Sequence, residues 1–408
     1  MRAIALLTLL TITAHPCAAE KTTVDTRSFP SIFGDSVMLF GPDVDMDTIQ
    51  RALDALHKQQ ANDEFSERRY ALLFKPGDYD LDVTVDYYVQ AAGLGQVPGD
   101  VRIKGTVQSI SSTTGNRVTI MFWRSAENFH VSPRDANEPI YWAVSQAAPY
   151  RRMHITGDLQ FDLGGWASGG FLANSIVEGR AGLTSGQQWF TRNSELGAWI
   201  GGNWNRTFGG STGPPATTWP DAPTTIIKST PVIRDKPFLV IDDDDDFSVF
   251  VPSLVEATRG VSWRGGNETG TIIPISDFHI AFPEKDSTAS INSALAAGKY
   301  LLFTPGIYRL DDAIRVGRPG TVMMGMGLAT LLPQTGKAAI VTDDVSGITI
   351  SSLMVDAGVR NSAVLIQIGD IDSRRDHGED PTTLHDVFCR VGGAVPGSAD
   401  ACLIVNSN

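Results

Sequence analysis

The chain has 408 residues, more than one small packed domain needs, and its 42% hydrophobic and 19% charged content excludes extensive disorder. Its 40 Gly and 22 Pro call for many turns and exclude a helical bundle. With 33 Lys and Arg against 46 Asp and Glu, a net charge of -13 and no basic run, it lacks a footprint for nucleic acid and suits an acidic polymer such as pectate poorly, so a neutral partner fits best.

In chain order, Arg2, an apolar run from Ala3 to Thr13, Pro16 and small residues ending in Ala19 have the three-part form of a secretory signal. Residues 1–19 are expected to be removed, which predicts a secreted, extracellular protein. The apolar run is too short to span a bilayer, and no later stretch predicts a membrane anchor.

A first β-helix domain is expected over residues 20–209. Ile49, Leu53 and Leu56 share one face of a short helix, and Leu72-Leu73-Phe74 reads as a buried strand stopped by Pro76-Gly77 before Tyr79 opens the next. Gly93-Leu94-Gly95 then allows a tight bend. No third glycine or helix start follows, so this is not a dinucleotide fingerprint. Short apolar strands return at residues 101–103, 118–122, 153–159, 171–177 and 188–191, with Asn, Asp and Gly between many of them. This pattern predicts stacked coils of a right-handed parallel β-helix, with a β-sandwich as the structural alternative. Seven of the eight Trp, at 123, 142, 166, 189, 199, 204 and 219, fall in this part of the chain and just beyond it.

Pro214, Pro215, Pro220, Pro223, Pro231 and Pro237 mark residues 210–283 as an irregular connector. Within it, Asp242 to Asp246 lack calcium-loop spacing and read as a solvated acidic turn. Two sequons, Asn205-Arg206-Thr207 and Asn267-Glu268-Thr269, are consistent with glycosylation of an exported chain at Asn205 and Asn267.

The opening pattern then repeats. Ile291 and Leu295 match Ile49 and Leu53, Leu301-Leu302-Phe303 matches Leu72-Leu73-Phe74, and Pro305-Gly306, Tyr308 and Gly325-Met326-Gly327 follow in the same order. The first copy differs by an insertion around residues 58–69. A second, partial β-helix is therefore expected over 284–408, shortened relative to the first. Removal of Cys17 with the signal would leave Cys389 and Cys402, which can pair as a disulfide in an oxidising compartment or remain two buried thiols on a strand face.

The two opening motifs, TIQRAL with LLFKPGDYDL and SINSAL with LLFTPGIYRL, resemble those of the pectate-lyase-like β-helix superfamily. Their duplication resembles the tandem β-helix arrangement of glycoside hydrolase family 55 exo-β-1,3-glucanases. The resemblance implies an all-β fold of tandem right-handed parallel β-helices, with an active site in the cleft between them and a general-acid Glu from the second. No motif around that Glu is matched, so no catalytic residue is carried over.

Glycoside hydrolysis needs a carboxylic acid and usually a second carboxylate. Glu127, Glu178 and Glu195 fall in separate coils of the first helix, and Asp356 and Asp386 fall in the second. We nominate Glu195, Glu127, Asp356 and Asp386 as catalytic candidates, Glu195 foremost because Trp189, Trp199 and Trp204 surround it in sequence. For each, a solvated turn residue is the plain alternative. Trp166, Trp189, Trp199 and Trp204 are nominated to bind sugar rings, against the alternative of rungs in the β-helix core. His130, His154, His279, His377 and His385 have no metal-ligand spacing, and no cofactor is called for. The expectation is a secreted, monomeric glycosidase acting on a neutral cell-wall polysaccharide, β-1,3-glucan, in an inter-domain groove. The alternatives are a non-catalytic glycan-binding or surface-interaction protein and a polysaccharide lyase with Arg151-Arg152 as the local candidate base.

Overall fold

The structure is a computed structural model and describes residues 26–110, 118–266 and 268–407. The signal-like residues 1–19, with Cys17, and the sequon residue Asn267 lie outside them.

The first coil stack is built from parallel strands Val37–Phe40, Tyr70–Phe74, Val89–Gly93, Ser125–Ser132, Pro149–Ile155, Phe171–Ala173, Ile176–Arg192, Glu195–Gly209 and Thr224–Ile227. In-register pairing turns sequence positions into columns. Met38, Leu72, Ala91, Ala126, Tyr150, Leu172, Thr191 and Phe208 form one column, buried inside the coil. Strand alternation sends the next column to the opposite face: Leu39, Leu73, Ala92, Glu127, Arg151, Ala173, Arg192 and Gly209.

From Glu127 onward, the residue after each of these turns the corner in a left-handed conformation, at Asn128 (φ 66°), Arg152 (φ 49°), Asn174 (φ 51°), Asn193 (φ 47°) and Gly210 (φ 57°). Asn and Gly accept that conformation most readily, which explains the Asn-rich turns of the sequence. Behind the corner a serine ladder satisfies backbone donors: Met153 N, Ser175 N and Ser194 N donate to the hydroxyls of Ser175, Ser194 and Ser211 at 3.0, 3.2 and 3.1 Å.

The second stack runs through Phe278–Ala281, Tyr300–Phe303, Val322–Gly325, Thr349–Asp356 and Thr383–Arg390, also parallel. The expected tandem parallel β-helix architecture is present, and parallel stacked coils replace the β-sandwich alternative. Both stacks open alike. Helix α1 (Met46–Gln60) is capped by Asp45, which accepts from Thr48 N at 2.9 Å, and α2 (Thr288–Ala296) by Ser287, which accepts from Ser290 N at 3.2 Å. Tyr79 donates its hydroxyl to the carbonyls of Lys75 and Phe40, and Tyr308 to those of Thr304 and Ala281. A Cβ on Gly77 would lie 2.6 Å from Pro42, and one on Gly306 2.4 Å from Pro283, so the Pro-Gly turn needs its glycine in both copies.

Residues 210–283 differ from the irregular connector expected from the sequence. Thr230–Arg234 pairs antiparallel with Leu254–Thr258, and Phe238–Ile241, Phe247–Pro252 and Gly270–Pro274 form an antiparallel sheet. Proline sits before or at the edges of these strands, where no ladder donor is required, so its density misreads as absence of strand. The five aspartates form the turn between Phe238–Ile241 and Phe247–Pro252, where Asp242 accepts from the backbone of Asp244 and Asp246 and Asp245 pairs with Lys75 at 2.7 Å.

The two stacks face each other across a seam whose chemistry changes along its length. At one end Leu73 and Ala92 pack with Leu302 and Met324, covered by Leu239, Ile241, Phe247, Val249 and Ile273 of the antiparallel sheet. Each large side chain buried there contributes about 1.5–3 kcal/mol. Further along, the same columns carry Glu127, Arg151 and Arg192 on one side and Ser351 and His385 on the other. The apolar end holds the stacks together by burial, the polar end by ion pairs and hydrogen bonds, and beyond these the stacks part.

Candidate functional site

The polar end of the seam is an ion-pair network. Glu127 receives both its oxygens' bonds from Lys236 Nζ at 2.6 Å and a third from Gln90 Nε2 at 2.9 Å, while Gln90 Oε1 accepts from Gly327 N of the second helix at 2.9 Å. Arg192 donates to Asp235 at 2.8 Å, and Arg151 lies 3.5 Å from the same carboxylate. Arg151 also forks onto Asp386, Nε to Oδ2 at 2.8 Å and Nη2 to Oδ1 at 2.6 Å. Burial alone would raise the Asp386 carboxyl, but the charge of Arg151 and its hydrogen bonds outweigh this and hold it below the usual carboxylate range. Asp235 is likewise held low against burial by Arg192 and Arg151. Burial, then Arg151, pushes His385 down to about 4, so it is a neutral imidazole, and its Nε2 donates to the Arg234 carbonyl oxygen at 2.8 Å.

Beyond this network the seam opens into two adjoining cavities of about 430 and 620 Å³ that share Phe171, Phe190, Asp386 and Phe388. Phe171 and Phe190 are register partners on successive coils, stacked with centroids 5.3 Å apart and planes 18° apart, so column geometry makes a flat aromatic wall. Gln146, Gln188, Asn205 and Thr207 supply polar groups around the smaller cavity. The Gln146 amide oxygen accepts from Ser145 Oγ at 2.6 Å and Ser168 Oγ at 3.1 Å, which leaves its NH₂ to donate. An aromatic wall, amide donors and one ionised carboxylate suit a sugar ring, whose C–H faces stack on aromatics and whose hydroxyls need paired partners.

The structure places the four nominated carboxylates differently from a cooperating catalytic group. Asp386 alone lines the cavities. Glu127 is buried under Lys236, and Asp356 is forked by Arg390 at 2.7 and 2.5 Å, with Arg390 also donating to Tyr88 at 2.6 Å. Glu195 is ion-paired with Arg264. Each is engaged by a cation and lies outside the lining of the two cavities. Glu178 lies on the outer face, 2.8 Å from His154.

The tryptophans divide. Trp189 is buried against Phe161 at 3.7 Å with one edge on the smaller cavity, and Trp199 packs against the core and Phe208 at 5.1 Å. Trp166 and Trp204 stand exposed, outside the lining of both cavities. Neighbours in sequence therefore fall on opposite faces, and the tryptophans do not enclose Glu195. Asn205 is exposed at the cavity edge. Cys389 and Cys402 are free thiols, with Cys389 Sγ 3.8 Å from the Cys402 carbonyl oxygen. Burial, then Cys402, pushes the Cys389 thiol up to about 12, so it is protonated at neutral pH. Arg151 and Arg152 are both ion-paired, Arg152 with Glu268 at 2.7 Å, and neither is available as a base. Among the described residues no group of three or more His, Cys, Asp or Glu could hold a metal ion, and no helix is long and apolar enough to cross a membrane.

Sequence reasoning missed Phe171, Phe190, Phe388, Gln146 and Gln188. The signal was present for two of them: Phe171 and Phe190 occupy matching places before Ala173-Asn174 and Arg192-Asn193, one coil apart.

Comparison with known proteins places this geometry. Residues 278–408 match the model of the LAM55 pectate lyase-like domain. The chain is 43% identical over 378 residues to an exo-β-1,3-glucanase of Streptomyces sp. (strain SirexAA-E / ActE), an alignment that covers 92% of this chain and 62% of that protein. It thus spans less than two thirds of the length of that curated relative. Its structure matches sacteLam55A from Streptomyces sp. SirexAA-E with a TM-score of 0.89 and 42% identity, covering 93% of this chain and 68% of that one. A variant of the same protein in complex with glucose matches with a TM-score of 0.87 and 41% identity, over the same shares. With sequence and architecture shared over nine tenths of its length, the chain belongs to the LAM55 pectate-lyase-like family, glycoside hydrolase family 55.

Proposed function

We propose that this protein acts in the hydrolysis of β-1,3-glucan outside the cell, with the sugar chain held in the cavities between its two β-helices. The observation that carries the proposal is the 43% identity over 378 residues to an exo-β-1,3-glucanase. The cavity chemistry supports it: Phe171 and Phe190 offer a stacking wall, and Gln146, Gln188 and Asn205 offer hydroxyl partners. Asp386, held ionised by Arg151, accepts a hydroxyl or orients a water, while proton donation to the leaving oxygen needs a carboxyl with a raised pKa. The signal-like N-terminus supports export.

One observation favours binding without turnover: Asp386 is the one carboxylate among the residues lining these two cavities. Incubation with laminarin separates the readings. We expect glucose or short oligosaccharides from laminarin and none from a β-1,4-glucan. Retention on β-1,3-glucan with no new reducing ends would replace hydrolysis by binding, and neither binding nor cleavage would defeat both.

A further inference from the structure

Exposed tryptophan is costly surface for a folded chain and points to a partner. Trp166, Trp204 and Trp219 are 66%, 77% and 75% exposed, whereas Trp142, Trp189 and Trp263 are buried. Their placement follows from register. Ala167, Gly186 and Asn203 form one column over three successive coils. Trp166 immediately precedes that column and Trp204 immediately follows it, two coils or about 10 Å apart along the stack. Ala167 in the column is buried, while both tryptophans beside it are exposed and so face outward from the stack. Trp219 N donates to Thr224 O at 3.0 Å, and Thr224 pairs with Arg206, which puts the third ring beside the next coil.

Charge defines what this surface can take. Residues 163–177, 181–191, 196–205 and 207–220 contain no Asp, Glu, Lys or Arg, in a chain of net charge -13. Between these stretches Arg192 and Arg206 are buried, and the more exposed Glu178, Arg180 and Glu195 are each ion-paired, with His154, Asp158 and Arg264. An acidic or basic polymer gains nothing there, while a neutral polymer with apolar ring faces does. The surface also runs into the groove, because Asn205, next to Trp204, and its register partner Gln188 both line the smaller cavity.

We propose that Trp166, Trp204 and Trp219 form a second, non-cleaving glycan surface that captures long neutral β-glucan chains and feeds them toward the groove. The proposal rests on the β-1,3-glucan reading above. It requires that long chains gain from the tryptophans and that short ones, which fit within the groove, do not.

The test compares the wild type with the Trp166→Ala, Trp204→Ala, Trp219→Ala triple variant and with Trp204→Phe. Retention on insoluble β-1,3-glucan is measured beside turnover of laminaritriose and the thermal midpoint. Three lost stacking contacts should weaken retention about ten-fold or more, with trimer turnover and midpoint unchanged, while Trp204→Phe should retain most of the binding. Equal retention by wild type and triple variant overturns the proposal, as does a parallel loss of trimer turnover. A wild type that cleaves the trimer but does not bind the polymer overturns it and leaves the functional reading standing. A wild type that does neither overturns both.

Discussion

Arg151 of the first β-helix and Asp386 of the second are joined by two parallel hydrogen bonds, at 2.8 and 2.6 Å, at the point where the seam between the helices opens into the groove. The fork fixes one wall of the groove against the other. Asp386 sits at φ 52°, which Asn tolerates, so Asp386→Asn removes charge without adding backbone strain. Removing one partner of a buried pair typically costs 3–5 kcal/mol, and the remaining contact of Arg151 with Asp235 puts this case near the lower end, about 3 kcal/mol. Urea unfolding of wild type and variant measures it. A loss under about 0.5 kcal/mol would mean the pair behaves as an exposed one.

His385 makes the same region sensitive to acid. Its folded pKa of about 4 lies below the ordinary value of 6.5, so the unfolded chain binds the proton first as pH falls. Its contribution is fully present above about pH 6.5 and is lost progressively down to about pH 4, on the order of 3 kcal/mol. The depressed Asp235 and Asp386 act in the same direction at lower pH, once unfolded carboxylates protonate. His57, raised mainly by its bond to Asp86, works oppositely: its contribution is present below about pH 6.5 and fades as pH rises through its folded pKa. Melting midpoints should therefore fall between pH 6.5 and 4.5, and His385→Gln should flatten that fall. An equal slope in the variant would place the acid sensitivity elsewhere.

The duplicated Pro-Gly turn predicts parallel costs in both stacks. Gly306→Ala would place a methyl 2.4 Å from Pro283, and Gly77→Ala would add one 2.6 Å from Pro42 at φ 147°. Each should destabilise by about 1–3 kcal/mol, read by chemical denaturation. Wild-type stability in either variant would show that the Pro side can yield.

Asn205 lies in a sequon and also at the edge of the smaller cavity. A glycan attached there would compete for the groove. Protein made in a eukaryotic secretory host and carrying a glycan at Asn205 should release glucose from laminarin at least about ten-fold more slowly than the same protein after enzymatic deglycosylation. Equal rates would move the productive path of the sugar away from Asn205.

Much of the architecture is legible in the sequence because local physics writes it twice. The capped helices, the LLF strands, the Pro-Gly turns and the carbonyl-bonding Tyr79 and Tyr308 depend on residues close in the chain, and they recur in the same order. The Asn-rich corners are equally local, since a left-handed φ selects the residue that adopts it. The strands within 224–274 were hidden because proline density reports turns and edges, not what lies between them.

Sequence alone therefore determined the two coil stacks, their opening motifs and the tryptophan-rich character of the first. Tertiary structure decided which carboxylates are spent on cations, which tryptophans are core and which are exposed, and where the groove lies. Glu127 meets Lys236 and Arg151 meets Asp386 across more than a hundred residues of chain. Such pairs arise when the second stack and the antiparallel segment between the stacks are laid against the first. That docking depends on the apolar seam of Leu73, Ala92, Leu302 and Met324, and spacing along the sequence carries no record of it.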